Sequence, residues 1–169
     1  MKSTSSRQIW ALVALGSAGL VVASLALTAW LGLHPCHLCI FQRVLFMVLA
    51  VLGGLAAWRW QGALGLVAGL AVLPVTAGGI AAAGYQSWLQ AFPVSTISCG
   101  ASTPGVIETF VEHLGSWLPS LFLATGNCAD EELVVLGLSL ANWSALAFMG
   151  SLLVAGWALL RCRSASRRA

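Results

Sequence analysis

Long stretches of this chain carry no charge at all, and that limits what it can fold into. Residues 8–42 contain no Lys, Arg, Asp or Glu, and no Lys or Arg occurs between 60 and 160. A membrane-spanning helix needs about 20 predominantly apolar residues. The chain offers four such runs, at about 9–33, 38–58, 63–85 and 140–160. Composition excludes the soluble alternative. Of 169 residues, 59% are hydrophobic and 8% charged, whereas soluble domains average about 45–50% and about 25%. A small soluble domain buries only about two-thirds of its unfolded surface, so the excess apolar area requires lipid. The predicted fold class is an all-α integral membrane protein: a four-transmembrane-helix bundle forming one domain over 1–169, with loops at about 32–37 and 86–139. Eight basic against five acidic residues, a net charge of +3, leave no basic surface for nucleic acid.

The placement of the charges orients the spans. Lys2 and Arg7 precede the first, Arg59 follows the second, and Arg161, Arg163, Arg167 and Arg168 end the chain. The positive-inside rule assigns all of these to the cytoplasmic side, with both termini there and the two loops opposite. All five acids, Glu108, Glu112, Asp130, Glu131 and Glu132, fall in the long loop. Arg43 alone breaks the plan, since it lies inside the second span. A signal peptide is the rival reading of the N-terminus, but its apolar run exceeds the usual 7–15 residues of such a segment. Glycines crowd the third span (Gly62, Gly65, Gly69, Gly78, Gly79, Gly84), as close helix packing in lipid favours.

Five cysteines remain. The topology puts Cys36, Cys39, Cys99 and Cys128 outside the cytoplasm, where disulfides persist, and Cys162 inside, where thiols stay reduced and where no role is assigned to it. Four cysteines permit three connectivities, and sequence does not choose among them. Cys36 and Cys39 form a C-x-x-C motif after Pro35, a residue that favours helix starts. A helix N-terminus stabilises a thiolate, the species that exchanges disulfides. Positions 36, 39 and 43 are spaced by three and four and so share a helix face. A charge inside a span costs about 2.5–3.5 kcal/mol at mid-bilayer and is a functional candidate by default; snorkelling to the headgroups is the bland alternative. A thiolate, a cation and apolar surroundings suit a membrane-soluble oxidant with carbonyl oxygens, such as a quinone. A zinc site drawing on Cys36, Cys39, Cys99, Cys128, His34, His37 and His113 is the alternative from another class, and inert structural disulfides are a third. Haem attachment would need histidine at 40, where Ile40 stands.

In the long loop, Ile107, Phe110, Val111, Leu114, Trp117 and Leu118 recur at helical spacing, with Glu108, Glu112 and Ser116 elsewhere on the wheel. A short amphipathic helix is expected there, lying on the membrane surface or packed on the loop or the bundle. Thr125-Gly126-Asn127-Cys128 reads as a turn.

Leu33 to Arg43, with Cys36 and Cys39 at its centre, resembles the first periplasmic motif of the disulfide bond formation protein B (DsbB) family. Leu89-Gln90-Ala91-Phe92-Pro93 leading to Cys99 is similar to the next. Phe122 to Asp130 around Cys128, with Leu136-Gly137-Leu138 and Trp143, resembles the second half of the family's long loop. The resemblance extends over nearly the whole chain. It implies a bacterial inner-membrane enzyme, a quinone-dependent thiol oxidoreductase whose partner is a periplasmic DsbA-type thiol oxidase. By the same resemblance Cys99 meets the partner's thiolate and Cys128 is its loop mate. Exchange through Cys36 passes electrons to Cys39, and Arg43 assists at the quinone, either ubiquinone or menaquinone. Family members often carry an acid where this chain has Gln42, and some a histidine where it has Gln86, so acid–base help is not carried over to those positions. An external acceptor is consistent with redox energetics. DsbA-type oxidases, known to work with DsbB and quinone, sit near −120 mV, against below about −300 mV for typical structural disulfides, a gap of roughly 8 kcal/mol for two electrons.

Overall fold

The computed structural model describes the backbone of residues 2–59, 62–92, 105–130 and 133–166, and the side chains of those lying between 6 and 161. Four long helices, α1 (Lys2–Leu31), α2 (His37–Trp58), α3 (Ala63–Ala91) and α6 (Leu140–Ser166), make up most of it. Each contains a stretch long and apolar enough to cross a membrane. Leu12, Leu15, Val67, Leu153 and Leu160 stand well exposed on the outside of the bundle, as suits helices that face hydrocarbon.

Neighbours round the bundle are α1 with α2, α2 with α3, α3 with α6, and, more loosely, α6 with α1. The core at mid-height is aromatic and aliphatic. Phe46 of α2 and Phe148 of α6 stack at 4.0 Å with their planes 9° apart, beside Leu49, Val72 and Trp10. Two of the third span's glycines make this possible. A Cβ on Gly79 would meet the Phe148 ring, and one on Gly69 would meet Trp10. Gly78 and Gly84 face open space, so the expected packing role does not extend to them.

α3 runs six residues past the end expected at 85. Its last turns are polar in sequence, yet Gln86 and Leu89 are buried there. Gln90 accepts from the Ser139 hydroxyl at 2.8 Å, so the polar side chains find partners at the loop end and the helix continues. The expected amphipathic helix is α4 (Val106–Trp117), started by Glu108, whose carboxylate accepts from the Gly105 N–H at 2.9 Å. Val111, Ile107 and Leu114 pack against Ile40, Phe41 and Val44 of α2, while Val106 and Trp117 stay exposed. Of the two placements, packing against the bundle is the one found for its inner face. A one-turn helix, α5 (Pro119–Phe122), follows. The chain then forms a small antiparallel hairpin, β1 (Val134–Val135) with β2 (Leu138–Ser139), that periodicity gave no sign of. Its two-residue turn places both Leu136 (φ 54°) and Gly137 (φ 79°) in the left-handed region, as a type I′ turn requires. Glycine suits the second position; Leu136 holds the first at some steric cost, and the Trp143 indole N–H donating to Val135 O at 3.0 Å anchors the hairpin on α6.

Candidate functional site

Cys36 is the N-cap of α2, with extended backbone (φ −82°, ψ 168°). Its sulfur accepts from the Cys39 backbone N–H at 3.3 Å, satisfying one of the donors a helix start leaves unpaired. The C-x-x-C motif therefore opens the helix as its sequence implied, and the two side chains come round to face each other, Sγ to Sγ 2.7 Å. Pro35 precedes the cap, and its main work is done by its carbonyl. That oxygen accepts from the backbone N–H groups of Thr125 at 3.0 Å and Gly126 at 3.2 Å, pinning the distant turn to the start of α2. Asn127 closes this turn by accepting from the Ala129 N–H through its side chain. The clamp delivers Cys128, buried like Cys36, into the same small cluster with Leu38 and Leu89, where its sulfur is hydrogen-bonded to that of Cys36.

Three sulfurs thus meet at one place, Cys36 in the middle. Cys99 lies outside the described residues, as does the stretch 93–104 around it, and the side chain of Cys162 is likewise outside them. Hydrogen bonding to the Cys128 sulfur first, then to Cys39, and then burial push the Cys36 thiol well above its ordinary value of 9.0. A raised thiol stays protonated where an ordinary one ionises. Its contribution to stability is complete below that ordinary value and is lost as pH climbs beyond it. In the fully reduced protein, Cys36 is expected to react with iodoacetamide more slowly than an ordinary cysteine between about pH 7 and 9. Peptide-resolved mass spectrometry checks this, and alkylation at the rate of a free thiol would contradict it.

Arg43, one turn below Cys39, is buried at 5% exposure. It does not snorkel. Its Nε donates to Ser24 Oγ at 3.1 Å, Nη2 to Ser24 Oγ at 2.9 Å and to Thr28 Oγ1 at 3.1 Å, and Nη1 to the Leu121 carbonyl at 2.9 Å. All these acceptors are neutral oxygens, so the charge is solvated by dipoles rather than cancelled by a carboxylate. A guanidinium has five N–H donors. Four are used, which leaves one Nη1–H without an acceptor among the described residues.

Beside these groups lies a cavity of about 430 Å³, within the range of small-molecule sites. It occupies the loose seam between α1 and α6. Leu20, Val21, Leu27, Phe46, Leu146 and Ala147 make much of its wall, and Cys39, Arg43, Gln42 and Gln86 bring polar atoms to it. Such a space suits a flat, largely apolar molecule with a hydrogen-bond acceptor at its edge. Among the described residues no group of His, Cys, Asp and Glu side chains, the three cysteines included, has an arrangement that could hold a metal ion. His37 instead faces Glu112 of α4 at 3.9 Å.

Ser24, Thr28 and Leu121 were not singled out in the sequence. Ser24 and Thr28 did carry a signal, being hydroxyls four apart in an apolar run, which places them on one helix face. The Leu121 carbonyl had none, since any residue supplies a backbone oxygen.

Four membrane-crossing helices with sulfurs gathered at one end define a class of protein, the membrane proteins of thiol–disulfide chemistry. Residues 6–158 match the family described as disulfide bond formation protein DsbB. The chain is 45% identical over 147 residues to a disulfide bond formation protein B from Dechloromonas aromatica, covering 85% of this chain and 86% of that protein. Its counterpart of the same name in Albidiferax ferrireducens is 38% identical over 166 residues, covering 97% and 92%. The one in Nitrosomonas europaea is 39% identical over 164 residues, covering 95% and 96%. This chain belongs to the DsbB family. It is a multi-pass membrane protein of disulfide bond formation, a disulfide oxidoreductase.

Proposed function

We propose that the protein reoxidises a periplasmic DsbA-type thiol oxidase and passes the two electrons to a membrane quinone. In this reading it sits in the bacterial inner membrane, with both termini cytoplasmic and the four working cysteines periplasmic. The observation that carries the proposal is the meeting of the Cys128, Cys36 and Cys39 sulfurs beside a cavity that also presents a buried arginine.

The exchange begins from disulfides Cys99–Cys128 and Cys36–Cys39. The partner's thiolate attacks Cys99, forming a mixed disulfide and releasing Cys128 as a thiolate. Cys128 attacks Cys36; the new Cys36–Cys128 bond forms, the Cys36–Cys39 bond breaks, and its electron pair stays on Cys39. The partner's second thiol resolves the mixed disulfide at Cys99 and leaves oxidised. Cys99 then attacks Cys128, restoring the loop disulfide and leaving Cys36 and Cys39 as the reduced pair. The hydrogen bond between the Cys128 and Cys36 sulfurs supports the central step, because exchange needs the attacking and attacked atoms in contact.

A quinone would be held by the apolar wall and by the spare Nη1–H of Arg43, and when bound it supplies the acceptor for two electrons and two protons. Arg43 favours negative charge both on Cys39 and at the edge of the bound ring. The test is anaerobic: purified protein, a soluble quinone and a reduced DsbA-type partner, followed by quinone absorbance. Catalytic loss of quinone is expected, and it should vanish in both Cys39→Ser and Cys99→Ser. No turnover, with quinone bound and both disulfides intact, would overturn the reading.

A further inference from the structure

One buried amide lies against the sulfurs and a second lies behind it, and the exchange described above uses neither. Gln86 of α3 and Gln42 of α2 are each 3% exposed. Gln86 Nε2 donates to Cys39 Sγ at 3.1 Å and reaches Cys36 Sγ at 3.5 Å. Gln42 Nε2 donates to Gln86 Oε1 at 2.8 Å. A thiolate has lone pairs and no proton, so it only accepts. The Gln42 N–H occupies the Gln86 carbonyl oxygen and so fixes which end of that amide faces the sulfurs; turning the Gln86 amide over would set two NH2 groups against each other and point its oxygen at sulfur. Arg43, although nearby, spends its hydrogen bonds on Ser24, Thr28 and Leu121. The backbone N–H of Cys39 is given to Cys36.

We infer that Gln86 is a catalytic residue of the exchange, whose amide N–H stabilises the thiolate left on Cys39, and that Gln42 is the positioning residue that keeps this N–H turned toward sulfur. The inference rests on the proposed function for the step that makes the thiolate. In that step Cys128 bonds to Cys36, the Cys36–Cys39 bond breaks with its electron pair going to Cys39, and no proton moves. An anion formed on this half-buried sulfur gains from a donor already in place, because burial takes away part of its solvation. An amide meets the need without titrating. It neither gives up nor takes a proton, so the support it provides is constant across the pH range in which a histidine or carboxylate would change charge. The leaving sulfur departs faster when its anion is stabilised.

The experiment follows iodoacetamide alkylation of Cys39 in the fully reduced, full-length Cys36→Ala protein, where the Cys36 thiol 2.7 Å away no longer donates to Cys39, resolved by peptide mass spectrometry. With both glutamines intact in this background, the Cys39 rate should vary little between about pH 6 and 8, as it does when the thiolate persists. In Gln86→Leu the rate near pH 6 should fall about ten-fold or more and climb steeply with pH, since a hydrogen bond to a charged group is lost. Gln42→Glu should do the same without touching either sulfur. A carboxylate there accepts from the Gln86 NH2 and turns the Gln86 oxygen toward sulfur. Gln42→Leu, which only frees the amide to rotate, should give a smaller loss. A merely structural pair would not rank these variants in that order, and where Gln86→Leu does not fold, the two Gln42 variants carry the test. Quinone turnover by the unmodified protein is measured alongside. Turnover combined with an unchanged Cys39 profile in Gln86→Leu and Gln42→Glu overturns the inference and leaves the proposed function standing. The expected profiles without any turnover overturn the proposed function, while Gln86 remains the donor to Cys39.

Discussion

Replacing Arg43 with methionine is expected to raise the KM for quinone by at least about ten-fold, because a hydrogen bond from a charged donor is worth about 1.5–3 kcal/mol. The fold should survive. Taking a charge out of an apolar span relieves an insertion cost of about 2.5–3.5 kcal/mol at mid-bilayer, less near the surface. The hydroxyl of Thr28 already donates to the Ser24 carbonyl at 2.8 Å and does not depend on the arginine. The Leu121 carbonyl and the Ser24 hydroxyl do lose their donor, at about 1–3 kcal/mol for each buried unsatisfied group. The two effects partly cancel, so activity and stability should separate. Arg43→Lys is a sharper version of the same test. It keeps the charge, but an ammonium has three donors on one atom and cannot reproduce the fork that spans Ser24, Thr28 and Leu121. An intermediate KM is expected. Steady-state kinetics against quinone concentration, together with thermal unfolding in detergent, check both points. Should Arg43→Met keep its KM, the arginine has no contact with the quinone.

Gly126→Ala should be as damaging at the other end of the relay. A Cβ at 126 would fall onto the carbonyl oxygen of His34. The turn would have to lift, breaking the hydrogen bonds from Thr125 and Gly126 to the Pro35 carbonyl. The lost bonds cost about 0.5–1.5 kcal/mol each, and the backbone shift adds to that because the Cβ meets main-chain atoms. The cost to chemistry is large, since Cys128 moves away from Cys36 and a misplacement of about 1 Å lowers a reaction rate by about a hundred-fold. The Cys36–Cys128 disulfide, trapped by acid quenching and alkylation after adding reduced partner and identified by mass spectrometry, should therefore form about a hundred-fold more slowly. Gly84→Ala, which meets no atom within 4 Å, is the matched control. Trapping at the normal rate in Gly126→Ala would show that the clamp does not serve the exchange.

Both variants act on contacts that no periodicity announces. The spans were legible because lipid imposes a long, predominantly apolar run on each of them, broken only by Arg43 in the second, and such runs are visible in a single strand of letters. The C-x-x-C helix start was legible for a similar reason: Cys36, Cys39 and Arg43 are brought onto one face by the helix repeat alone. The continuation of α3 beyond 85 is not legible in the sequence, because Gln86 and Gln90 look like loop residues until partners from elsewhere in the fold satisfy them. The hairpin at Val134–Ser139 escaped because its two-residue strands are too short to show alternation.

Sequence by itself determined the solvent, the number of spans and the helix face that joins two sulfurs to a cation, since each is a property of residues close together in the chain. Only the tertiary structure decided that Cys128 sits against Cys36, that Ser24, Thr28 and the Leu121 carbonyl solvate Arg43, and that Gln86, held by Gln42, donates to the cysteine pair. Those contacts join residues 15 to 92 positions apart. A hydrogen bond over such a separation depends on how whole helices pack and where a loop lands, and no local pattern encodes either.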